Sequence, residues 1–324
     1  MSMIRLHSSP LQGYTDFRFR NAYHRYFGGI DQYMAPYIRI KGTREIKPAH
    51  ERDVCPGNNP SMDLIPQVMA KDPEAFLIVA AYLQNLGYAA VNWNLGCPYP
   101  MVANKGMGSG MLARPDKIDA FLQKVSAETD MDLSVKMRLG YEHASEILGV
   151  LPVMEKYPLS YIAIHPRIGK QLYKGAVDLD AFETCLGRSS HTLFYNGDIT
   201  TVHRFRELQD RFPGIRHWMI GRGLLADPFL PAMIKADDHV YPENRYEVLR
   251  TFHDTLFASY EKALSGPRHL LTKMYAFWEY LIASFPASPK GLKRIRKAQS
   301  LNSYQEVIDQ LFKAETFHGG QPGT

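Results

Sequence analysis

The chain has 324 residues, 45% of them hydrophobic, and a formal net charge of +5. That is enough apolar side chain for one large domain or two, and too small an excess of charge for a chain that is basic throughout. Three widely spaced cysteines, Cys55, Cys97 and Cys185, show no disulfide framework and no zinc-type spacing, so a reducing cytoplasm and no metal are expected.

The N-terminal segment "MSMIRLHSSPLQG" has no basic region followed by an apolar one, so no signal peptide is expected. A first strand is predicted over Ile4–Ser9 and a second over Gln32–Ile38. A third, Leu64–Met69, carries Gln67. In "KDPEAFLIVAAYLQNLG", Asp72 is a helix N-cap, Pro73 suits the first helical position and Gly87 is a stop. Its apolar run Ala75–Leu83 is too short to span a bilayer, and no membrane partner is expected. Strands follow at Ala90–Leu95, Leu133–Arg138, Tyr161–His165, Thr192–Asn196 and Trp218–Ile220. Helices fall between them in "ARPDKIDAFLQKVSAETD", in "HASEILGVLPVMEKYP", where Pro152 invites a kink, and in "TTVHRFRELQDRFPG".

Eight strands alternating with helices over roughly 240 residues match a (β/α)8 TIM barrel, with a doubly wound open sheet as the competitor. The polar residues favour the barrel. Gln67, Asn94, Cys97, Lys136, Arg138, His165, Asn196 and Gly221 stand at or just past the C-terminal ends of six of the predicted strands. A barrel brings those ends to one face, whereas an open sheet spreads them along a line. Beyond Asn244 the alternation stops, and three segments of helical period predict a small all-α domain. The expected organisation is a catalytic barrel over 1–243, a helical domain over 244–316 and a disordered tail over 317–324. From Asn244 onward eleven Lys and Arg face seven Asp and Glu, so this quarter of the chain carries +4 of the total +5. The densest part, "KGLKRIRKAQ", contains Lys290, Lys293, Arg294, Arg296 and Lys297. It reads either as a contact for a polyanion or as a solvated helix face.

"YNGDI" (Tyr195–Ile199) and "IGRGLLADPF" (Ile220–Phe229) follow the seventh and eighth strands, where barrels bind phosphate through glycine-opened backbone N–H groups. Arg222 could add charge there; alternatively the glycines only make tight turns. Lys136, inside the apolar "SVKMRLG", is either snorkelling at the rim or a cation held toward a bound cofactor. His165 is either a satisfied structural residue or part of the same site. Cys97 sits between Gly96 and Pro98, ahead of glycines 106, 108 and 110, which make the following segment either mobile or tightly turned. "GMGSG" fits neither the dinucleotide fingerprint nor the P-loop. A lid bearing an acid or a nucleophile suits it better than a phosphate cradle, although a free cysteine is more often a small buried hydrophobe.

Seven segments in order resemble the tRNA-dihydrouridine synthases: "SPLQGYTDFRFR" (8–20), "IPQVM" (65–69), "VNWNLGCPYPMVANKGMGSGML" (91–112), "VKMRLG" (135–140), "IHPRIGKQLYKG" (164–175), "YNGDI" and "IGRGLLADPF". The likeness covers most of the chain and is nearest to the shorter bacterial members, whose helical domain also carries a stretch like "KRIRKAQSLN". It implies FMN at the barrel mouth, contacted by Pro10, Gln67, Lys136 and His165, with Asn196, Gly197, Asp198, Gly221 and Arg222 around its phosphate. It implies NADPH as reductant and tRNA as partner. Hydride passes from the flavin to uridine C6, and Cys97 protonates C5 from the opposite face. Asn94, Arg138 and Tyr173 match positions near the uracil, and Lys290, Lys293, Arg294 and Arg296 fall in the RNA-binding domain. The chemistry suits the residues, because a thiol is mostly protonated at neutral pH and a fixed cation stabilises a reduced, anionic flavin.

The chain departs from the family at Ser9-Pro10-Leu11 (commonly Ala-Pro-Met), at Asn92 (usually Asp) and at Pro166-Arg167-Ile168 (usually Gly-Arg-Thr). A monomer is expected. Two other readings are an FMN barrel acting on a free dihydropyrimidine or dihydroorotate-like substrate, and an RNA-binding protein with an inactive flavin site. The basic helical domain speaks against the first, and the intact Cys97 and Lys136 against the second.

Overall fold

The computed structural model describes residues 4–40, 45–286 and 289–319, with side chains described to residue 315. Short apolar runs form nine strands: β1 (Arg5–Ser8), β2 (Gln32–Met34), β3 (Leu64–Ile65), β4 (Gln67–Val68), β5 (Ala90–Leu95), β6 (Asp132–Gly140), β7 (Ile162–Ile168), β8 (Leu193–Asn196) and β9 (His217–Ile220). Their order is β3-β2-β1-β9-β8-β7-β6-β5-β4, and the paired neighbours are parallel.

The two ends of that order, β3 and β4, are halves of one predicted strand, interrupted at Pro66. Proline has no N–H for the ladder. β3 therefore pairs with β2 on one side, and β4 with β5 on the other. Beyond Pro66 a bridge between Ile38 and Val68 joins β4 to the chain just past β2. There Ile38 N donates to Gln67 O (2.7 Å) and Met69 N to Ile38 O (2.9 Å). The sheet thus curls round on itself into the TIM barrel. The interior packs Met34, Ile65, Tyr161, Ala163, Phe194 and Met219.

The helices are α1 (Phe17–Tyr26), α2 (Pro48–Val54), α3 (Pro73–Asn85), α4 (Pro100–Ala103), α5 (Pro115–Glu128), α6 (Ile147–Met154), α7 (Leu179–Leu186), α8 (Val202–Arg211), α9 (Arg222–Ala226), α10 (Leu230–Ala236), α11 (Arg245–Glu261), α12 (Pro267–Leu281), α13 (Gly291–Lys297) and α14 (Leu301–Gly319). Asp72 caps α3 by accepting from Glu74 N (3.2 Å). α5 packs on the barrel through Phe121, whose ring stacks on Trp93 of β5 at 3.8 Å. α6 follows a 3-10 turn at Ala144–Glu146 and is only eight residues long, with Pro152 inside it.

The chain separates into two compact units. The first comprises Met1–Gly13, Ile30–Asp198 and Arg206–Gly221, and the second Tyr14–Gly29, Ile199–Phe205 and Arg222–Thr324. All nine strands belong to the first. In the second, α1 joins the C-terminal helices. Asp16 caps α1 by accepting from Phe19 N (3.2 Å) and also accepts from Tyr260 Oη of α11 (2.6 Å). Phe19 stacks on Phe277 of α12 at 5.7 Å. The fully buried Tyr304 hydroxyl accepts from Trp278 Nε1 (2.9 Å) and bonds His253 Nε2 (2.7 Å), which ties α11, α12 and α14 together. Residues 317–319 of the predicted tail continue α14, and 320–324 lie outside the described residues. Among the described residues no helix is long and apolar enough to cross a membrane.

Candidate active site

β5 ends in Asn94 and Leu95, and its continuation is shaped by one side chain. Asn94 Oδ1 accepts from the backbone N–H groups of Gly96 (3.0 Å) and Cys97 (2.9 Å). This fixes the turn out of the strand and with it the position of the thiol. Behind Asn94 runs a buried amide chain. Asn94 Nδ2 donates to Gln67 Oε1 (2.7 Å), Gln67 Nε2 to Asn92 Oδ1 (2.8 Å), and Asn92 Nδ2 to Ser134 Oγ (2.9 Å). Gln67 and Asn92 are completely buried. Asn92, singled out in the sequence only as a departure, is thus the middle of the support under the Cys97 turn, with Gln67 beside it.

The glycine segment after Cys97 is tightly turned. Gly108 has φ +55°, and a Cβ there would lie 2.7 Å from Cys97 O; a Cβ on Gly110 would lie 2.0 Å from Ala103 O. Ser109 closes the turn from below, donating to Cys97 O through both N (3.1 Å) and Oγ (3.0 Å). Cys97 packs with Met69, Val102, Met107 and Tyr37 and is 7% exposed. Burial pushes its thiol above the ordinary value, against the opposing pull of the Tyr99 backbone N–H, the Tyr37 hydroxyl, Arg138 and Arg39. Tyr37, which sequence reading missed, is itself pushed up to about 12, mainly by burial, and so stays a donor.

Lys136 lies on β6, opposite Asn94 on β5 and Ala163 on β7. Its Nζ donates to Asn196 Oδ1 of β8 (2.7 Å), while Asn196 Nδ2 donates to Met219 O of β9 (2.8 Å). Burial, aided by the neighbouring Arg138 charge, lowers the Lys136 ammonium to about 7. A buried cation facing a neutral oxygen and a second cation suits a group that brings negative charge. An anionic cofactor would bring such a charge.

At the end of β7, Arg167 organises the mouth. It is 2% exposed. Its Nη1 bonds His165 Nε2 (3.0 Å) and Asp198 Oδ1 (3.0 Å), and its Nη2 bonds Gly175 O (2.6 Å) and pairs with Asp198 Oδ2. Guanidinium only donates, so His165 Nε2 accepts and the ring proton sits on Nδ1. Asp198, at φ +45°, is held in its turn and its charge is neutralised by the same pairing. Sequence reading named Arg167 only within a departure; the signal it offered was an arginine inside an apolar strand. Pro166 falls where the β6–β7 register shifts, between the pairs Arg138–His165 and Gly140–Ile168, so the strand passes its missing donor at a bulge. Arg138 Nη1 donates to Ile168 O (2.8 Å), and its guanidinium lies 5.4 Å from the Tyr173 ring centroid.

Pro10 stands two residues past β1, next to Ser9, whose N donates to Ile220 O (2.8 Å) and which a Cβ on Gly221 would meet at 3.4 Å. Gly197 is crowded by Val177 (3.0 Å), Tyr195 and Pro166, so a tight turn by itself requires glycine there. Arg222 opens α9 in the second unit. The cationic run lies in the same unit. Lys290 precedes α13, and Lys293, Arg294, Arg296 and Lys297 on it are all exposed, while Ile295 and Gly291 turn inward. Arg296 is paired with Glu279 (2.7 Å), and Arg294 bonds Gln310.

The dihydrouridine synthase family model matches residues 7–281. The chain belongs to that family. It is 25% identical to the tRNA-dihydrouridine(16) synthase of Cupriavidus necator, over 97% of this chain and 99% of the relative. It is 30% identical to a probable tRNA-dihydrouridine synthase of Staphylococcus aureus, over 76% of this chain and 75% of the relative. A probable tRNA-dihydrouridine synthase of Staphylococcus epidermidis is 27% identical, over 76% of this chain and 74% of the relative.

Proposed function

We propose that this protein reduces the 5,6 double bond of uridine in tRNA, with FMN as its resident cofactor, NADPH as reductant and Cys97 as the acid. FMN, held at the barrel mouth, would supply the hydride for C6 of the uracil. The chain's own residues do the rest. Lys136 offers its ammonium to the negative charge the cofactor brings, and Asn196 orients that ammonium. The Arg167–Asp198 pair removes a carboxylate charge from the loop assigned to the phosphate and leaves its backbone N–H groups to face an anion. The Cys97 thiol gives its proton to C5. The S–H bond breaks as the C5–H bond forms, and the thiolate left behind is met by the Tyr37 hydroxyl, the Tyr99 N–H and the Arg138 charge.

The observation that carries this reading is the thiol itself. It is buried, protonated at neutral pH, anchored through its backbone to Asn94, and backed by donors that stabilise its conjugate base. The likeness to the Cupriavidus protein spans nearly all of both chains, which makes position 16 of tRNA the first uridine to examine. The test uses the purified protein with its bound flavin, reduced anaerobically by NADPH. Added tRNA from a strain lacking dihydrouridine should reoxidise the flavin and acquire dihydrouridine. Reoxidation by free pyrimidines and not by tRNA would instead assign a small-molecule oxidoreductase, and absence of flavin from the protein would end the proposal.

A further inference from the structure

Beside the Cys97 loop the first unit carries a cavity of about 610 Å³. Its apolar surface comes from the half-buried Ile40 and from Ala75 of α3, with Val68, Met69, Val79 and Met107 almost wholly buried beneath them. Met69 and Met107 also pack on Cys97, so the cavity and the thiol share a wall. The rim is cationic: Arg39, Lys71 and Lys105 line it, and none of the three has an ion pair among the described residues. The one carboxylate on the rim, Asp72, is engaged in capping α3.

A small apolar patch beside ammonium groups that have no ion pair among the described residues is complementary to a flat heterocycle attached to a phosphate. We propose that this cavity seats a second nucleotide of the RNA strand, a chain neighbour of the uridine presented to Cys97. Its base lies over Ile40 and Ala75, and its phosphates meet Lys71 and Lys105. The inference rests on the RNA reading above. A strand that lays one base against the thiol must continue past the thiol's own wall, and this wall opens into a nucleotide-sized space. The reductant has to reach the cofactor and not the thiol, so it has no such reason to enter.

Two variants test it by different physics. Lys71→Ala with Lys105→Ala removes charge from the rim; Ala75→Trp fills the apolar patch and leaves the charge intact. tRNA affinity is measured for each at several salt concentrations, together with the NADPH concentration that half-saturates flavin reduction. Two lost phosphate contacts should make the slope of log K against log salt shallower by about 1.4. Loss of one base's seat should weaken tRNA binding by about tenfold with the slope kept. If both variants bind tRNA with the slope and affinity of the unsubstituted protein, the proposal is wrong. A loss that appears only in NADPH half-saturation overturns it too and assigns the cavity to the dinucleotide. Failure of the RNA reading looks different, because the unsubstituted protein then binds no tRNA. Should Ala75→Trp not fold, the surface lysine pair decides alone.

Discussion

A thiol that must donate a proton needs two opposed properties: it must be protonated at rest, and its thiolate must be tolerable once formed. At Cys97 burial supplies the first and Tyr37 with the Tyr99 N–H the second. Cys97→Ala should keep its flavin and its reduction by NADPH while dihydrouridine formation drops by about 10²–10⁴-fold, the usual range for a lost proton transfer. Near-normal turnover would make the thiol a packing residue. Because the thiol lies above its ordinary value, turnover limited by it should hold steady through neutral pH and decline only on the far alkaline side. Tyr37→Phe removes a hydrogen bond to a charged group, worth about 1.5–3 kcal/mol, and should slow uridine reduction by about tenfold to a hundredfold. An unchanged rate in single-turnover measurements would exclude Tyr37 from stabilising the thiolate.

Lys136 makes a prediction of opposite kind, since its ammonium is held down to about 7. Above that pH the folded apoprotein has lost a proton that a bound anion would restore, so FMN binding must take one up. FMN affinity of the apoprotein should therefore weaken as pH rises above about 7, by at most about tenfold per unit. Lys136→Met should be flat over the same range, as read by quenching of flavin fluorescence. A pH dependence shared by both proteins would belong to some other group. At this scale Cys97 and Lys136 were legible because a thiol beside proline and a lysine in an apolar strand both violate local expectation. Asn92, Tyr37 and Arg167 were not legible as site residues, because their roles are contacts to segments distant in sequence.

At the scale of elements the alternation of strands and helices was readable from period and from caps such as Asp72-Pro73. The division of Leu64–Met69 into β3 and β4 follows from Pro66, yet which neighbour each half pairs with depends on closure of the sheet, and no local signal encodes that. α1 escaped because half its residues are polar; its signal was Asp16 ahead of inward-facing Phe19, Ala22 and Tyr23. The glycines after Cys97 left mobile and tight turns open, and packing decides for tight ones. Gly106 and Gly108 separate the two causes. Both have positive φ, but only Gly108 has backbone within 3 Å of where a Cβ would stand. Gly106→Ala should cost about 1–2 kcal/mol for the left-handed conformation alone. Gly108→Ala adds overpacking of about 1–3 kcal/mol and should displace Cys97, so uridine reduction falls further than flavin reduction by NADPH. Equal effects of the two substitutions on denaturant midpoint and on turnover would contradict this.

For the whole molecule, the uneven charge of the chain was visible in the sequence, but the strength of the basic run was not. Arg296 spends its charge on Glu279; Arg294 keeps its charge but is held to the neutral Gln310, and besides it the three lysines Lys290, Lys293 and Lys297 are exposed cations with no ion pair among the described residues. If these three meet phosphates of the tRNA, each should contribute about 0.7 to the slope of log K against log salt. Lys290→Ala with Lys293→Ala and Lys297→Ala should therefore flatten that slope by about 2 and weaken binding most at low salt. Arg296→Ala alone should change the slope little, because its pairing with Glu279 has already neutralised it and removing it frees an opposing carboxylate. Bound flavin is counted in every variant, so that a loss of cofactor is not mistaken for a loss of RNA affinity. Should the triple lysine variant keep the original slope, the run is a solvated helix face and the RNA is held by the barrel unit.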